Sequence, residues 1–406
     1  MQQKQEFMER FILQDLIAWK NRSDRKPLIL LGARQVGKTY ILKEFGRREF
    51  ENVAYINCDN NAMVKDLFAP DYDIKRIILT IGAITGVNIQ AGKTLIIMDE
   101  IQELHRGLSS LKYFCEDAPE YHVAVAGSLL GLTLHQGESY PVGKVNTLNM
   151  YPMTYEEFLL ARDKKQMLDI LHMQNWNIIK GLRTLFTQYL REYYLVGGMP
   201  EAVKNFIETN DSNSVREIQN EILRAYDRDI SKHAPTEQVM RINQVWASIP
   251  SQLAKENKKF IYGVVKPGAR AKEYELAIQW LIDAGLIYKT TKVTKPELPL
   301  KFYEDISAFK LYLCDCGLMG AMADTDAKNV LISDAVFTEY KGAFTEQYVL
   351  QQLLATGISH IYYYSSDTSR MEMDFLMQRD GALLPIEVKG GTNVRANSLH
   401  NYLMNH

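Results

Sequence analysis

The sequence has little of several features that would mark a specialised class of protein. Only four cysteines occur in 406 residues, and Cys314 and Cys316 are too close for a zinc-ligand pair or a thioredoxin motif. We therefore expect Cys58, Cys115 and these two to be reduced thiols of a cytoplasmic protein. No apolar run of about eighteen residues occurs, so no membrane span is expected. The N-terminal segment MQQKQEFMERFILQ carries acidic side chains and lacks a signal-peptide core.

Excess charge and metal-binding histidine motifs are also missing. The net charge is −2, so any nucleic-acid contact must use a local basic patch. The eight histidines include no H-E-x-x-H pair. With 46% hydrophobic and 24% charged residues the composition is that of an ordinary globular protein. The length predicts two to four domains.

The most informative stretch is residues 27–42, PLILLGARQVGKTYIL. Its apolar start predicts a buried strand and its end continues as a helix, while the residues between them fit G-x-x-x-x-G-K-T. Glycines let backbone N–H groups wrap a phosphate, and the helix start adds free N–H groups and a positive dipole end. Lys38 would reach the β- and γ-phosphates, and the Thr39 hydroxyl would bind Mg²⁺. The nucleotide-binding residues predicted here are Gly32, Ala33, Arg34, Gln35, Val36, Gly37, Lys38, Thr39 and Tyr40.

A second motif supports the first. Residues 94–100, TLIIMDE, predict an apolar strand that ends in two carboxylates. Asp99 could hold Mg²⁺ through water, and Glu100 could polarise the attacking water. Together the motifs indicate ATP or GTP with Mg²⁺, and Glu100 favours hydrolysis over binding alone. Ser128 ends a further strand and is predicted to help place the water, although a serine that caps a turn is the alternative. The predicted catalytic residues are thus Lys38, Glu100 and Ser128.

The order of the predicted elements indicates the fold class. Strands alternate with helices from residue 27 to residue 128, which favours an α/β fold with a mostly parallel sheet and helices on both faces. Ligands of such sheets bind outside the carboxyl ends of the strands. Because Gly32, Asp99 and Ser128 all lie at the carboxyl ends of strands, we expect them to converge on one crevice.

Helical patterns flank this core. Residues 4–21 predict a helix with Phe7, Phe11 and Ile12 on one stripe. Residues 155–232 predict several helices, and a capping box of Thr154 and Glu157 begins the first. In this helical part, Arg224 and Arg228 could stabilise a transition state, but plain surface charges are the favoured interpretation.

Residues 236–320 predict helices followed by a hairpin, an arrangement typical of a winged helix. Basic side chains cluster around it and would suit a DNA backbone, although a solvated face or a protein contact is the simpler alternative. These side chains are Lys255, Lys258, Lys259, Lys266, Arg270 and Lys272.

A second candidate site lies near the C-terminus. Glu346 shares an apolar helix stripe and therefore needs a partner. Asp374 lies inside a predicted strand, and alternation puts Glu387 and Lys389 on one face of the next strand. Carboxylates near a lysine can bind a second divalent metal, Mg²⁺ or Mn²⁺, and activate water against a phosphodiester. A hairpin with surface charges, or a nuclease fold without its chemistry, is the alternative.

With these residues established, the chain resembles a prokaryotic AAA-type P-loop ATPase family with a winged-helix segment and a C-terminal restriction-endonuclease-like domain of unknown function. The segments that carry the resemblance are LGARQVGKT, LIIMDEIQ, AGS at 126–128, YPMTYEEFL, GGMPEAV, TEQYV, MDFL and IEVKGG.

The resemblance implies ATP as the nucleotide, and an arginine supplied by a neighbouring subunit, hence a homo-oligomer. It gives Lys38 and Thr39 the Walker A roles, Asp99 and Glu100 the Walker B roles and Ser128 a sensor role. It also matches a PD-(D/E)xK nuclease pattern at Glu346, Asp374, Glu387 and Lys389.

The chain departs from the family pattern in two ways. The chain has Gly143-Lys144 where relatives often have Gly-Arg, and lysine lacks the planar fork of arginine. Only 17 residues follow Lys389, which leaves little material to complete a nuclease-like sheet. Cleavage of nucleic acid is therefore less expected than nucleotide binding.

We predict an N-terminal helix at 1–22, an ATPase core at 23–160, a lid-like helical segment at 161–235, a winged-helix-like domain at 236–330 and a nuclease-like domain at 331–406. The predicted function is Mg²⁺-dependent ATP binding and hydrolysis that controls the later modules, with DNA as a partner. An ATP-regulated nuclease and a non-hydrolysing scaffold are the alternatives.

Overall fold

The structure, a computed structural model, describes residues 8–128, 130–133, 141–255, 258–325, 330, 341–358, 360–366, 371–390 and 397–405. The chain divides into two compact units. The first comprises Met1–Met150 with Asp283–Gly285, and the second comprises Tyr151–Ile282 with Leu286–His406. Within the described part, no helix has the combined length and hydropathy that a membrane crossing requires.

The first unit contains a five-stranded parallel sheet. Its strands lie in the order β2-β3-β4-β1-β5. The three inner strands are aliphatic and almost wholly buried, because helices cover both faces of a parallel sheet. The strands are β1 (Leu28–Leu31), β2 (Asn52–Asn57), β3 (Thr94–Asp99), β4 (His122–Ala126) and β5 (Asn146–Asn149).

Helices connect these strands, and sequence signals explain several of their ends. The helix of residues 74–85 begins after Asp73, whose carboxylate accepts hydrogen bonds from the backbone of Lys75 and Arg76. It stops at Gly86, which adopts the left-handed conformation typical of a helix end. The helices are α1 (Ile12–Lys20), α2 (Lys38–Glu49), α3 (Ile74–Thr85), α4 (Gly107–Asp117) and α5 (Leu130–Thr133).

The register of the inner strands brings their carboxyl ends together. Ala126 of β4 pairs with Asp99 of β3 on one side and with Leu30 of β1 on the other. The residues that follow these three strands therefore lie at one edge of the sheet. This parallel sheet with its connecting helices confirms the predicted α/β fold class.

The second unit begins with a run of helices. The predicted capping box is present, since Thr154 accepts from the Glu157 backbone and the Glu157 carboxylate accepts from the Thr154 backbone. The helices are α6 (Tyr155–Ala161), α7 (Lys165–His172), α8 (Trp176–Gly181), α9 (Arg183–Val196), α10 (Pro200–Thr209), α11 (Ser212–His233), α12 (Thr236–Leu253), α13 (Tyr262–Val265), α14 (Ala271–Asp283), α15 (Cys316–Met322), α16 (Lys341–Ala355) and α17 (Asn397–Asn405).

A second five-stranded sheet belongs to this unit, in the order β10-β9-β8-β6-β7. The predicted hairpin is its β6–β7 pair, and β6 also pairs in parallel with β8. The predicted boundary between residues 330 and 331 therefore crosses a single sheet. The strands are β6 (Ile287–Val293), β7 (Glu304–Leu313), β8 (Tyr362–Ser365), β9 (Glu372–Arg379) and β10 (Ala382–Ile386).

Two predicted elements have different bounds in the structure. The first helix begins at Ile12 instead of residue 4, and it buries Leu13, Leu16 and Trp19. Phe11 is exposed and Phe7 lies outside the described residues, so the predicted stripe was wrong, because the buried face starts one residue later.

The last strand is also shorter than predicted. It ends at Ile386, so Glu387 and Lys389 lie beyond it. The reason is local, since the backbone N–H of Val388 donates to the carboxylate of Asp374 instead of to a neighbouring strand.

Candidate functional site

The loop between β1 and α2 has the backbone that a phosphate cradle requires. Gly32 and Gly37 have φ values of +145° and +97°, which side chains disfavour. A Cβ atom on Gly32 would also lie only 2.2 Å from the carbonyl oxygen of Met150. Glycine is thus needed at both ends of the loop. Between them Ala33 and Val36 are buried while Arg34 and Gln35 are exposed, and Tyr40 on the following helix is also exposed.

The lysine of the loop is buried but makes its hydrogen bonds to neutral groups. Lys38 is 7% exposed, and its Nζ donates to the carbonyl oxygens of Gly32 at 2.8 Å and Ala33 at 2.9 Å. Burial lowers the pKa of Lys38 to about 8, although Glu100 and Asp99 act in the opposite direction. An anion that replaced the two carbonyl oxygens would favour the charged ammonium.

A hydroxyl and a carboxylate meet beside this lysine. Thr39 Oγ1 donates to Asp99 Oδ2 at 2.6 Å, and the Tyr55 hydroxyl donates to the same oxygen at 3.2 Å. Burial and the neighbouring Asp99 raise the pKa of Tyr55 to about 12, so its hydroxyl stays protonated. Hydroxyl and carboxylate oxygens are the hard ligands that Mg²⁺ prefers. The chemistry of these donors fits that ion.

Glu100, the second carboxylate of the motif, is hydrogen-bonded to a residue that follows β4. Glu100 Oε2 accepts hydrogen bonds from the backbone N–H of Ser128 at 3.0 Å and from its hydroxyl at 3.2 Å. The same oxygen accepts from Gln102 Nε2 at 2.5 Å. Of the residues that the sequence predicts as one site, Thr39 is therefore hydrogen-bonded to Asp99 and Ser128 to Glu100 within the first unit. Lys38 lies close enough to both carboxylates for their charges to act on its pKa.

Three residues of this site were not predicted. Tyr55 and Gln102 contact the two carboxylates, as described above. Arg10 is 6% exposed, and its Nη1 donates to the carbonyl oxygen of Val36 in the loop at 2.8 Å. The segment that precedes α1 also contacts α2, because the Tyr40 hydroxyl is hydrogen-bonded to the backbone of Met8. Only Gln102 lay near a recognised motif, two residues after Glu100.

The four residues predicted as a nuclease-like site form two groups. In the first, the buried Glu346 forms ion pairs with Lys258 and with Lys310, whose Nζ lies 3.7 Å away. Burial alone would raise the pKa of Glu346, but the two lysines outweigh it and the pKa is lowered. Asp374 lies beside Glu346, and burial followed by the charge of Glu346 raises the pKa of Asp374 to about 7.

The second group is an ion pair next to the first, since the backbone N–H of Val388, between its two members, donates to Asp374. Lys389 Nζ lies 2.5 Å from Glu387 Oε1, and the other oxygen of Glu387 accepts from the backbone of Leu399. In the described part of the chain no three or more His, Cys, Asp or Glu side chains are placed to share a metal ion. The predicted second metal site therefore has no support from this geometry.

Most of the other charged side chains singled out in the sequence form ion pairs or are exposed. Lys258, one of the basic side chains that would suit a DNA backbone, is 13% exposed and forms an ion pair with the buried carboxylate of Glu346. Lys144 forms a surface ion pair with Glu116 at 2.8 Å. Exposed positions are found for Lys259, Lys266, Arg270, Lys272, Arg224 and Arg228.

Comparisons with known families divide the chain into three parts. Residues 24–159 match the family described as AAA domain. Residues 187–329 and 341–406 each match a domain of unknown function, DUF8612 and DUF4143 respectively. No curated protein sequence matches the chain.

Similar solved structures include a Walker-type ATPase of Pyrococcus abyssi, with 14% identity, a TM-score of 0.49, and coverage of 79% of this chain and 97% of that one. The Orc1 protein of Aeropyrum pernix, solved in complex with DNA, has 13% identity, a TM-score of 0.29 and coverages of 77% and 90%. Cdc6p from Pyrobaculum aerophilum has 12% identity, a TM-score of 0.27 and coverages of 77% and 92%.

These TM-scores are low, so the family match and the sheet itself are the basis for the fold. Residues 24–159 have a P-loop AAA-type ATPase fold, which is a nucleotide-binding fold.

Proposed function

We propose that the chain binds ATP with Mg²⁺ and hydrolyses it, and that Glu100 is the general base. The observation that carries the proposal is the contact pattern at the edge of the first sheet. Thr39 is joined to Asp99, and Glu100 to Ser128, by hydrogen bonds between residues that lie 60 and 28 positions apart in the sequence. Unrelated turns at three strand ends would have no reason to meet in this way.

The loop residues bind the phosphates. Backbone N–H groups of the segment from Gly32 to Gly37, with the first turn of α2, surround the β- and γ-phosphates. Lys38 exchanges its two carbonyl partners for phosphate oxygens, which are better partners for a buried ammonium. Thr39 and Asp99 would hold Mg²⁺, which would neutralise part of the negative charge of the phosphates.

The remaining residues act on the water. Glu100 accepts a proton as the water oxygen bonds to the γ-phosphorus, and the bond from that phosphorus to the bridging oxygen breaks as ADP leaves. Ser128 keeps the carboxylate of Glu100 at the strand edge. The resemblance to AAA-type ATPases favours ATP over GTP, and a competition between the two nucleotides decides it.

Phosphate release from ATP is the test. The purified chain is expected to release phosphate with Mg²⁺ and to stop when EDTA removes it. Lys38→Ala is expected to lose ATP binding and release together, whereas the exposed Lys65→Ala retains both. Release that persists in Lys38→Ala at the wild-type rate means that another protein or another site is responsible.

We also propose that the nucleotide alters the second unit, as is common for P-loop switches. Amide hydrogen exchange of residues 151–406 is expected to change when ATP is added to the wild type but not to Lys38→Ala.

Measuring phosphate release again with DNA added, and at several protein concentrations, tests whether DNA or self-association activates turnover. A turnover near background under all these conditions, with tight ATP binding, favours the non-hydrolysing scaffold.

A further inference from the structure

The hydrogen bonds to Glu100 all end on one oxygen of its carboxylate. Oε2 accepts from Gln102 Nε2 and from both the N–H and the hydroxyl of Ser128. Oε1 accepts no hydrogen bond from any residue that the structure describes. An oxygen that accepts three hydrogen bonds is a poor proton acceptor, because those bonds stabilise its negative charge. Oε1 is therefore the atom left to take a proton.

The side-chain amide of Gln102 is poorly satisfied in hydrogen bonds. Its Oε1 is buried and has no hydrogen-bond partner among the residues that the structure describes, where the contact with Glu100 is the single hydrogen bond of its amide. An unpaired buried carbonyl destabilises a fold, because its hydrogen bonds to water are lost and not replaced. A glutamine kept only for stability would not leave this atom unpaired, which suggests that its contact with Glu100 serves another purpose.

Space for the amide is provided by the next strand end. A Cβ atom on Gly127 would lie 2.0 Å from Gln102 Oε1 and 2.9 Å from the side chain of Leu130. Glycine at this position therefore allows the amide to approach the carboxylate. The segment 126–128 thus acts on Glu100 in two ways. Ser128 donates hydrogen bonds to its carboxylate, and the missing side chain of Gly127 leaves space for the Gln102 amide that does the same.

The backbone at the carboxylate is strained as well. Glu100 has φ +53° and ψ +44°, a left-handed conformation that residues other than glycine rarely adopt. Such a conformation persists where its surroundings over-determine it, and it is common at functional sites. Gln102 follows on the 3₁₀ turn Ile101–Glu103, so the strained residue and the unpaired amide belong to one short turn.

We propose that Gln102 is a positioning residue that holds Oε2 of Glu100 and thereby directs Oε1 toward the attacking water. This inference depends on the proposed function, because it takes Glu100 as the general base. In the step, one water proton passes to Oε1 while the water oxygen bonds to the γ-phosphorus. The electrons of the broken bond leave with ADP. Gln102 contacts neither the water nor the nucleotide.

The test compares Gln102→Ala with Glu103→Ala, an exposed residue of the same turn. Gln102→Ala is expected to lower kcat about 10- to 100-fold, the usual effect of losing a hydrogen bond to a charged group, with ATP Kd and Tm unchanged. Glu103→Ala is expected to match the wild type. A wild-type kcat in Gln102→Ala, or a loss of kcat that parallels a loss of ATP binding or of Tm, overturns the proposal.

Two further variants separate positioning from packing. Gln102→Glu replaces the amide donor with a carboxylate that repels Glu100, so kcat is expected to fall at least as far as in Gln102→Ala while ATP Kd stays unchanged. Gly127→Ala, which displaces the amide, is expected to lower kcat while ATP Kd stays unchanged. A wild-type kcat in Gln102→Glu contradicts the inference.

Glu100→Gln distinguishes the two proposals. If Glu100→Gln is inactive while Gln102→Ala turns over normally, only the positioning role fails. If Glu100→Gln turns over normally, the proposed function fails and the positioning role fails with it.

Discussion

The two units each bury lysine and carboxylate side chains, but they use these charges in opposite ways. In the first unit, Lys38 donates to two backbone carbonyl oxygens, and Asp99 accepts from the hydroxyls of Thr39 and Tyr55. In the second unit, Glu346 is bound directly by Lys258 and Lys310. The residue types are the same, but their immediate partners differ.

The difference in partners implies a difference in role. Charges that are hydrogen-bonded to neutral groups can be transferred to a ligand without breaking an ion pair. Charges that already neutralise one another stabilise the fold and would have to be separated before a metal or phosphate could bind. A carboxylate and a lysine in the right sequence pattern therefore indicate a functional site only when the structure leaves their charges available.

The largest expected difference between the two units comes from replacing a buried lysine with methionine in each of them. Lys310→Met leaves a buried carboxylate with less compensation, and we expect it to destabilise the protein by roughly 3–5 kcal/mol. Lys38→Met is expected to abolish ATP turnover and to change the free energy of unfolding by about 1 kcal/mol or less, because its partners are neutral. Urea unfolding and phosphate release measure the two effects.

The control for this pair is Lys301→Met. Lys301 is 67% exposed and its ion pair with Glu304 lies at the surface, so its loss is expected to leave the urea midpoint close to that of the wild type. If Lys310→Met unfolds no more easily than Lys301→Met, the ion pairs of Glu346 do not stabilise the fold. The distinction between the two units is then lost.

A second prediction concerns the pH dependence of stability in the second unit. The pKa of Asp374 is raised from 3.8 to about 7, so the folded state binds a proton that the unfolded state releases between these values. Stability therefore falls as pH rises from about 4 to about 7. Asp374→Asn removes this cost, and we expect it to stabilise the protein at pH 8 by on the order of 2 kcal/mol more than at pH 5.

Thermal or urea unfolding of wild type and Asp374→Asn at both pH values gives the result. Asp380→Asn, at an exposed turn residue, is the control and should show no such difference. An Asp374→Asn effect that is equal at pH 5 and pH 8 would mean that Asp374 titrates as an ordinary surface carboxylate.

A third prediction applies the same reasoning to nucleotide binding. The pKa of Lys38 is about 8, and phosphate binding requires the charged ammonium. ATP affinity is therefore expected to be constant below pH 8 and to fall about tenfold per pH unit above it. Lys38→Arg stays charged in this range, so its affinity, though weaker, is expected to show no such fall.

Equilibrium binding of ATP between pH 7.5 and pH 9.5 decides this point. A wild-type affinity that is flat up to pH 9.5 would contradict the view that Lys38 is buried among neutral groups before the nucleotide binds.

The smallest expected effect is that of Tyr55→Phe. This change removes one 3.2 Å hydrogen bond to Asp99 and retains the ring over which Lys43 lies. We expect the Mg²⁺ concentration for half-maximal turnover to change about two- to tenfold, as for one ordinary hydrogen bond, with little effect on kcat. Tyr113→Phe, in an aromatic pair elsewhere in the first unit, serves as the control. A change of kcat at saturating Mg²⁺ would show that Tyr55 acts on the reaction itself.

The first sheet and the meeting of its strand ends could be predicted because the signals are local. An apolar run that ends in Gly32, and another that ends in Asp99, identify strand ends, and parallel topology then brings those ends to one edge. The position of Ser128 could be predicted in the same way, because an apolar run precedes it. The strand end at Ile386 could not be predicted, because the backbone N–H of Val388 donates to Asp374, which lies 14 residues earlier in the chain. The helix start at Ile12 has no side-chain cap that would mark it in the sequence.

The partners of Glu346 were beyond sequence reasoning for a related reason. Glu346 predicted a partner of some kind, but Lys258 and Lys310 lie 88 and 36 residues away, and no periodicity connects them. Tyr55 and Arg10 were missed in the same way. Gln102 lay within the recognised motif, yet its role depends on the space at Gly127, which only the packed structure reveals.

The central claim is that Glu100 serves as the base for a nucleotide held by the loop that ends at Lys38. The most direct measurement is a single-turnover experiment on Glu100→Gln with ATP and Mg²⁺, run beside ATP binding to the same preparation. The account predicts ATP affinity within about threefold of the wild type and phosphate release at least about 100-fold slower. Release at the wild-type rate from Glu100→Gln would contradict it.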